Sequence, residues 1–218
     1  IANAPADGYT IGFVNTPSLI TVPIERSAQF GGPQRFDLLG NVIDDPCNFA
    51  VHADSPIKDL KELAAWAKAN PGHATVGSSG IGSDDHLVML MFERAAGVKM
   101  THVPFKGAAD VRTALLSQQI LVAAINIGES QQSIKGGAPM RNIGQFSPGR
   151  TTVAPDLPTA REQGFDIDLS SLRGMAAPRG LPAEVRERLV KAVAQASNDP
   201  EFKEKATGVF APLRYLSP

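Results

Sequence analysis

One stretch constrains the chain more than any other: Thr75 to Leu87, TVGSSGIGSDDHL. A short apolar approach (Ala74, Thr75, Val76) runs into a Gly/Ser loop, and the loop runs straight into a helical pattern. Gly77, Gly80 and Gly82 permit positive φ angles and let a ligand come close to the main chain. Ser83 stands at the N-cap position. Asp84 and Asp85 follow in the first turn, where negative charge complements the helix dipole. Strand, glycine loop and helix N-terminus together suit an anion. Gly77 and Gly82 have the P-loop spacing, but Ser83 replaces the phosphate-binding Lys, and Asp85 takes the third glycine position of a dinucleotide fingerprint. Two aspartates would repel a triphosphate. A small carboxylate, held by loop amides and the Ser78 and Ser79 hydroxyls, fits the pattern. An ordinary βα turn with a good cap fits it as well.

The chain has 218 residues, enough for one large domain or two small lobes with a real core. A net charge of −1 provides no basic field, which argues against nucleic acid and anionic membrane as partners. No apolar run approaches the roughly 18 residues of a membrane helix. Cys47 is the single cysteine, which rules out an internal disulfide and a Cys-based zinc site. His73, His86 and His102 lie on separate elements, without the i, i+4 spacing of a helical zinc pair. No serine sits in the Gly-x-Ser-x-Gly setting of a hydrolase. The start at Ile1, without Met, reads as a processed or incomplete chain.

Taken in order, Tyr9 to Val14 reads as a buried strand, ending in the polar cluster Asn15, Thr16, Pro17 and Ser18. That cluster suits a ligand at a strand's carboxyl end, or a simple turn cap. Leu38 to Ile43 and Asn48 to His52 read as two short strands broken by Asp44, Asp45 and Pro46. Ser55 and Pro56 open a helix that stops at Asn70-Pro71-Gly72. Ser83 opens the next helix, which Gly97 closes. Met100 to Val103 is a strand, and Pro104 to Gly107 a loop into another helix. Ile120 to Ile127 is a buried strand ending in Asn126, Gly128 and Glu129. This succession implies a parallel sheet with binding loops at one edge. Pro139 to Arg150 is a shorter strand and loop, Pro155 to Gly164 a short helix, and Asp166 to Ala177 a strand. Helices follow from Leu181-Pro182 and from Asp199-Pro200, and no element is expected after Gly208.

Several segments together resemble the Bug-type (TctC-type) extracytoplasmic solute receptors of tripartite tricarboxylate transporters. They are PADGYT (Pro5 to Thr10), HADSPIKDLKELAAWAKANPG (His52 to Gly72), GSSGIGSDDHL (Gly77 to Leu87), HVPFKGAADV (His102 to Val111), APDLPTAREQG (Ala154 to Gly164) and RGMAAPRGLP (Arg173 to Pro182). NDPEFKEK (Asn198 to Lys205) resembles the family's late helix. The match runs almost end to end and in family order.

The resemblance implies an α/β, two-lobed periplasmic binding protein type II fold (a Venus flytrap). Lobe I would comprise residues 1–53 and 168–218, and lobe II residues 54–167. The family's N-terminal strand and loop, and its C-terminal helix, have no counterpart here. The implied function is capture of a small organic carboxylate in the periplasm and its delivery to a membrane permease. The implied receptor is a monomer with no catalytic residue, cofactor or metal, and it neither enters the membrane nor binds nucleic acid. The candidate contacts in lobe II are Ser78, Ser79, Gly80 and Ser83, then Lys106, Gly107 and Ala108, with Asn126. In lobe I they are Asn15, Thr16, Ser18 and Arg173. The Arg173 guanidinium suits a carboxylate bidentately, or an internal partner such as Asp168, Glu129 or a strand-end carbonyl. Two other functions use the same loops: a small-acid isomerase or hydrolase with His86 as base, and the ligand-binding partner of a two-component sensor.

Overall fold

A computed structural model describes residues 1–218. The chain divides into two compact units, Ile1–Asp45 with Ser171–Pro218, and Pro46–Ser170. Both boundaries fall next to or inside long strands, β2 (Phe36–His52) and β7 (Ser170–Pro178).

The first unit is built on β1 (Gly12–Thr16), β7 and the first part of β2, in the order β1-β7-β2. β1 runs antiparallel to β7, from Gly12 opposite Ala176 to Thr16 opposite Leu172. On β2, Asn41 and Ile43 pair with β8 (Leu213–Leu216), a closing strand that the sequence pattern did not announce. β7 passes so close to β2 that a Cβ on Gly174 would stand 2.9 Å from the Gly40 carbonyl oxygen. Helices α1 (Ser18–Glu25), α6 (Ala183–Asn198) and α7 (Pro200–Gly208) complete the unit. Asp199 caps α7 by accepting from the Phe202 N–H at 2.9 Å. The apolar stripe of α6 supplies Val185, Leu189 and Val193 to a core with Leu39, Val42, Ala177 and Leu181.

In the second unit, the rest of β2 lies antiparallel to both β5 (Val122–Asn126) and β6 (Met140–Gln145). β5, β3 (Thr75–Ser78) and β4 (Thr101–Pro104) then follow in parallel. The sheet is therefore mixed, and parallel only across those three strands. Helices α2 (Leu60–Ala69), α3 (Asp84–Ala96), α4 (Ala108–Leu116) and α5 (Ile127–Lys135) accompany it. One face buries Phe49, Leu60, Leu63, Phe92 and Phe146. The Phe49 ring meets Phe92 at 5.4 Å and Phe146 at 4.8 Å, both edge to face. Val111, Leu115, Ile120 and Ile125 form a second cluster.

Several expectations are corrected. β1 starts at Gly12, and Tyr9, expected in a buried strand, is 94% exposed. The two short strands around Pro46 are one 17-residue strand. Pro46 sits where β2 passes from β8 to β5 and β6, so its missing N–H leaves the ladder intact. α2 starts at Leu60, because Asp59 accepts from the Glu62 N–H while Glu62 reaches back to the Lys58 N–H. Ser55 instead caps a local turn, accepting from Ile57. Residues 155–164 form turns, not a helix. Pro155 and Pro158 cannot donate, and the Gln145 amide holds the Ala154 and Leu157 carbonyls. α1 and α5 were not expected. α1 carries Pro23 inside it, and α5 starts directly after β5, with Asn126 at once the strand's last residue and the helix's N-cap. No helix is long and apolar enough to cross a membrane.

Candidate ligand site

The Gly/Ser loop joins β3 to α3, and the first turn of α3 folds back to hold it. Ser83 caps α3 as the spacing predicts, its Oγ accepting from the His86 N–H at 3.2 Å and donating to the Gly80 carbonyl at 2.8 Å. Gly80 (φ +133°) and Gly82 (φ +81°) take backbone conformations that favour glycine. The Gly82 N–H donates to His86 Nδ1 at 3.2 Å. Asp85 accepts from the Ser79 N–H at 3.1 Å and from the Ser79 hydroxyl at 2.5 Å, all on Oδ2. The loop is thus preshaped by its own helix.

Ser78 is fully buried, and its Oγ lies 2.6 Å from His102 Nε2. The His102 ring stacks on His86 with centroids 4.0 Å apart and planes 8° from parallel. Burial lowers the His102 pKa, and the neighbouring His86 lowers it further. These imidazoles brace the loop from beneath.

Behind Asp85 lies a buried polar cluster. The Asn126 amide, at the end of β5, donates to Asp84 Oδ2 at 2.8 Å, and the Cys47 thiol approaches the same oxygen at 3.5 Å. Cys47, Asp84 and Asp85 bring one ligand-type atom each within 4.8 Å of one another. Each also takes part in a hydrogen bond of this network. Burial pushes the Asp85 carboxyl well above its ordinary range; the charges of Asp84 and Glu129 add to that, while the Ser79 bonds oppose it.

The β4–α4 loop adjoins the first, since the Phe105 N–H donates to the Ser78 carbonyl at 2.9 Å. Lys106 is exposed at its tip. Gly107 is the N-cap of α4 and supplies no side-chain cap. The first-turn amides from Ala108 onward are therefore left to solvent or to a ligand. The second unit thus brings together Ser79, Gly80, Lys106, Gly107 and Ala108, with Ser83 and Asn126 in support and Ser78 below the surface.

In the first unit, Asn15 faces Arg173 across the β1/β7 ladder, and Thr16 faces Leu172. Asn15 and Ser18 border a cavity of about 410 Å³ walled by Phe13, Val14, Leu19, Phe30 and Phe36. The Arg173 guanidinium meets Asp45 at 3.3 Å. Asp45 is buried, with 2% of its side chain exposed against 23% for Arg173. The acidic partner that Arg173 requires is thus supplied by β2, from a residue outside the expected list.

Sequence reasoning missed the roles of Asp45, Asp85 and His102. Asp85 stood in view as a first-turn acid, but its bond to Ser79 spans six residues and has no local signal.

A family model described as tripartite tricarboxylate transporter family receptor matches residues 1–211. A UPF0065 protein of Bordetella pertussis is 31% identical over 94% of this chain and 63% of its own length. Among solved structures, the periplasmic binding protein BugD is 29% identical with a TM-score of 0.83, covering 98% of this chain and 71% of that one. An R. palustris protein with adipate is 25% identical with a TM-score of 0.90, covering 100% of this chain and 73% of that one. The chain therefore spans less than two thirds of that curated relative.

Proposed function

The chain belongs to the tripartite tricarboxylate transporter receptor family, and from that premise we propose that it captures a small organic carboxylate in the periplasm and delivers it to the transporter's permease. The observation that carries this reading is the pair of adjoining loops in the second unit. α3 is capped and folds its glycine loop into a fixed shape, whereas α4 keeps an uncapped N-terminus beside Lys106. An anion there meets first-turn amides, the positive end of the α4 dipole and an ammonium group. The R. palustris relative with adipate supports a carboxylate as the ligand class. Asn15, Ser18 and Arg173 are the first unit's candidate contacts in this reading.

Binding without turnover is the better account. Ser78 and His102 make a hydrogen-bonded pair of the kind a hydrolase uses, but Ser78 is fully buried. A loop committed to its own helix cap is built for recognition.

Lys106→Ala and Ser79→Ala test the site by calorimetry with adipate on the full chain. Each charge-assisted hydrogen bond contributes about 1.5–3 kcal/mol, so each variant is expected to bind about 10- to 150-fold more weakly. Unchanged affinity in both would place the ligand elsewhere. A merely structural loop predicts lower melting temperature with affinity retained.

A further inference from the structure

We infer that Asp85 is a proton-carrying positioning residue: its buried carboxyl donates to Ser79 Oγ and so turns the Ser79 hydroxyl outward as a donor to the ligand's carboxylate. The inference rests on the reading of the β3–α3 loop as a carboxylate contact.

A serine hydroxyl has one proton to give. With Asp85 ionised, that proton goes to Asp85 Oδ2, and the Ser79 N–H goes to the same atom. Both Ser79 donors then point into the protein, and Ser79 offers an incoming anion only lone pairs. With the proton on Oδ2, the bond reverses. The carboxyl donates to Ser79 Oγ, Oδ2 still accepts the Ser79 N–H, and the serine proton is released towards the ligand. The 2.5 Å separation of the two oxygens suits a bond in either direction.

Three observations favour the protonated carboxyl. Asp85 Oδ1 is buried with no hydrogen-bond partner. Half of a carboxylate left bare in the interior is costly, whereas the carbonyl oxygen of a neutral acid is far less so. Every titratable group named around it lacks positive charge to offer: Asp84 on the same helix, Glu129 from α5 and the Cys47 thiol from β2. His86, next in sequence, stacks on His102 from β4, and accepts the Gly82 N–H on Nδ1, which requires that nitrogen unprotonated. Burial and the Asp84 charge both favour the neutral form of Asp85.

The consequence is proton-linked binding. The competent state holds a proton, so affinity should fall with rising pH once Asp85 begins to lose it, by up to about tenfold per pH unit for one linked proton. Asp85→Asn has a similar shape but no proton to lose, so its affinity for adipate should stay flat across that interval. Calorimetric titration of adipate into the full chain, wild type and Asp85→Asn, over a pH series reads the difference. Ser79→Ala removes the relay from the other end and should also lose the slope, which keeps the test available should Asp85→Asn fold poorly. Infrared difference spectra at neutral pH should show a protonated-carboxyl band in the wild type that Asp85→Asn lacks. Absence of that band, or parallel pH profiles in wild type and variants that all bind adipate, would overturn the proton assignment and leave the receptor reading standing. No adipate binding at any pH would remove the site reading and this inference together.

Discussion

Arg173→Ala should lower the stability of the chain by about 3–5 kcal/mol, the loss typical when one partner of a buried pair is removed. Asp45 is almost wholly buried and meets the guanidinium at 3.3 Å, so the truncation takes this counter-ion from a carboxylate that water cannot readily reach. Urea unfolding of the variant measures the loss. Asp45→Asn in the same chain should restore much of it, because the neutral amide no longer needs the cation. The double variant separates the two roles of Arg173. If stability recovers and adipate affinity recovers with it, Arg173 is a brace. If stability recovers while affinity stays low, Arg173 also touches the ligand. A stability loss below about 1 kcal/mol in Arg173→Ala would mean that the pair is not a buried unit at all.

Phe49→Ala should cost a comparable amount, about 3–5 kcal/mol, for a different reason. The side chain is fully buried in the core of the second unit, in edge-to-face contact with Phe92 and Phe146. Truncation removes the transfer free energy and leaves a cavity among rigid rings that cannot collapse into it. Phe49→Leu should recover a substantial part by filling the volume, though not the aromatic geometry. Denaturant titrations of both variants decide the matter, and equal stability for Phe49→Ala and wild type would contradict this packing.

Local chemistry was legible from residue order alone. Ser83 as a cap, Gly97 as a left-handed stop and Asp199 before Pro200 each depend on neighbours within four residues, and each stands in the structure. The family was legible too, because its segments are linear. What escaped were choices made by distant partners. Pro46 reads as a break, yet β2 runs through it because other strands pair on both sides of it. Pro155 to Gly164 reads as a helix, but the Gln145 side chain holds the Ala154 and Leu157 carbonyls and the segment forms turns. Within the candidate site, the loop residues Ser79 and Lys106 were visible as loop chemistry. The inward ones, Asp85 and His102, were not, since their meaning comes from burial and from atoms brought in by other strands.

The unit Pro46–Ser170 is a single uninterrupted run of chain, and its two ends leave side by side: the Cys47 N–H donates to the Leu169 carbonyl at 3.0 Å. It is therefore an insertion, in the architectural sense, spliced into a host whose own sequence stops at Asp45 and resumes at Ser171. During synthesis the insert is complete before the host's second half has been made. Leu39 and Val42 must wait for Ala177, Leu181 and Val193 to arrive from the far side. Closing so long an unfolded loop would be entropically expensive. A folded insert with adjacent ends shortens that loop to almost nothing, so the order of translation turns a distant pairing into a nearly local one.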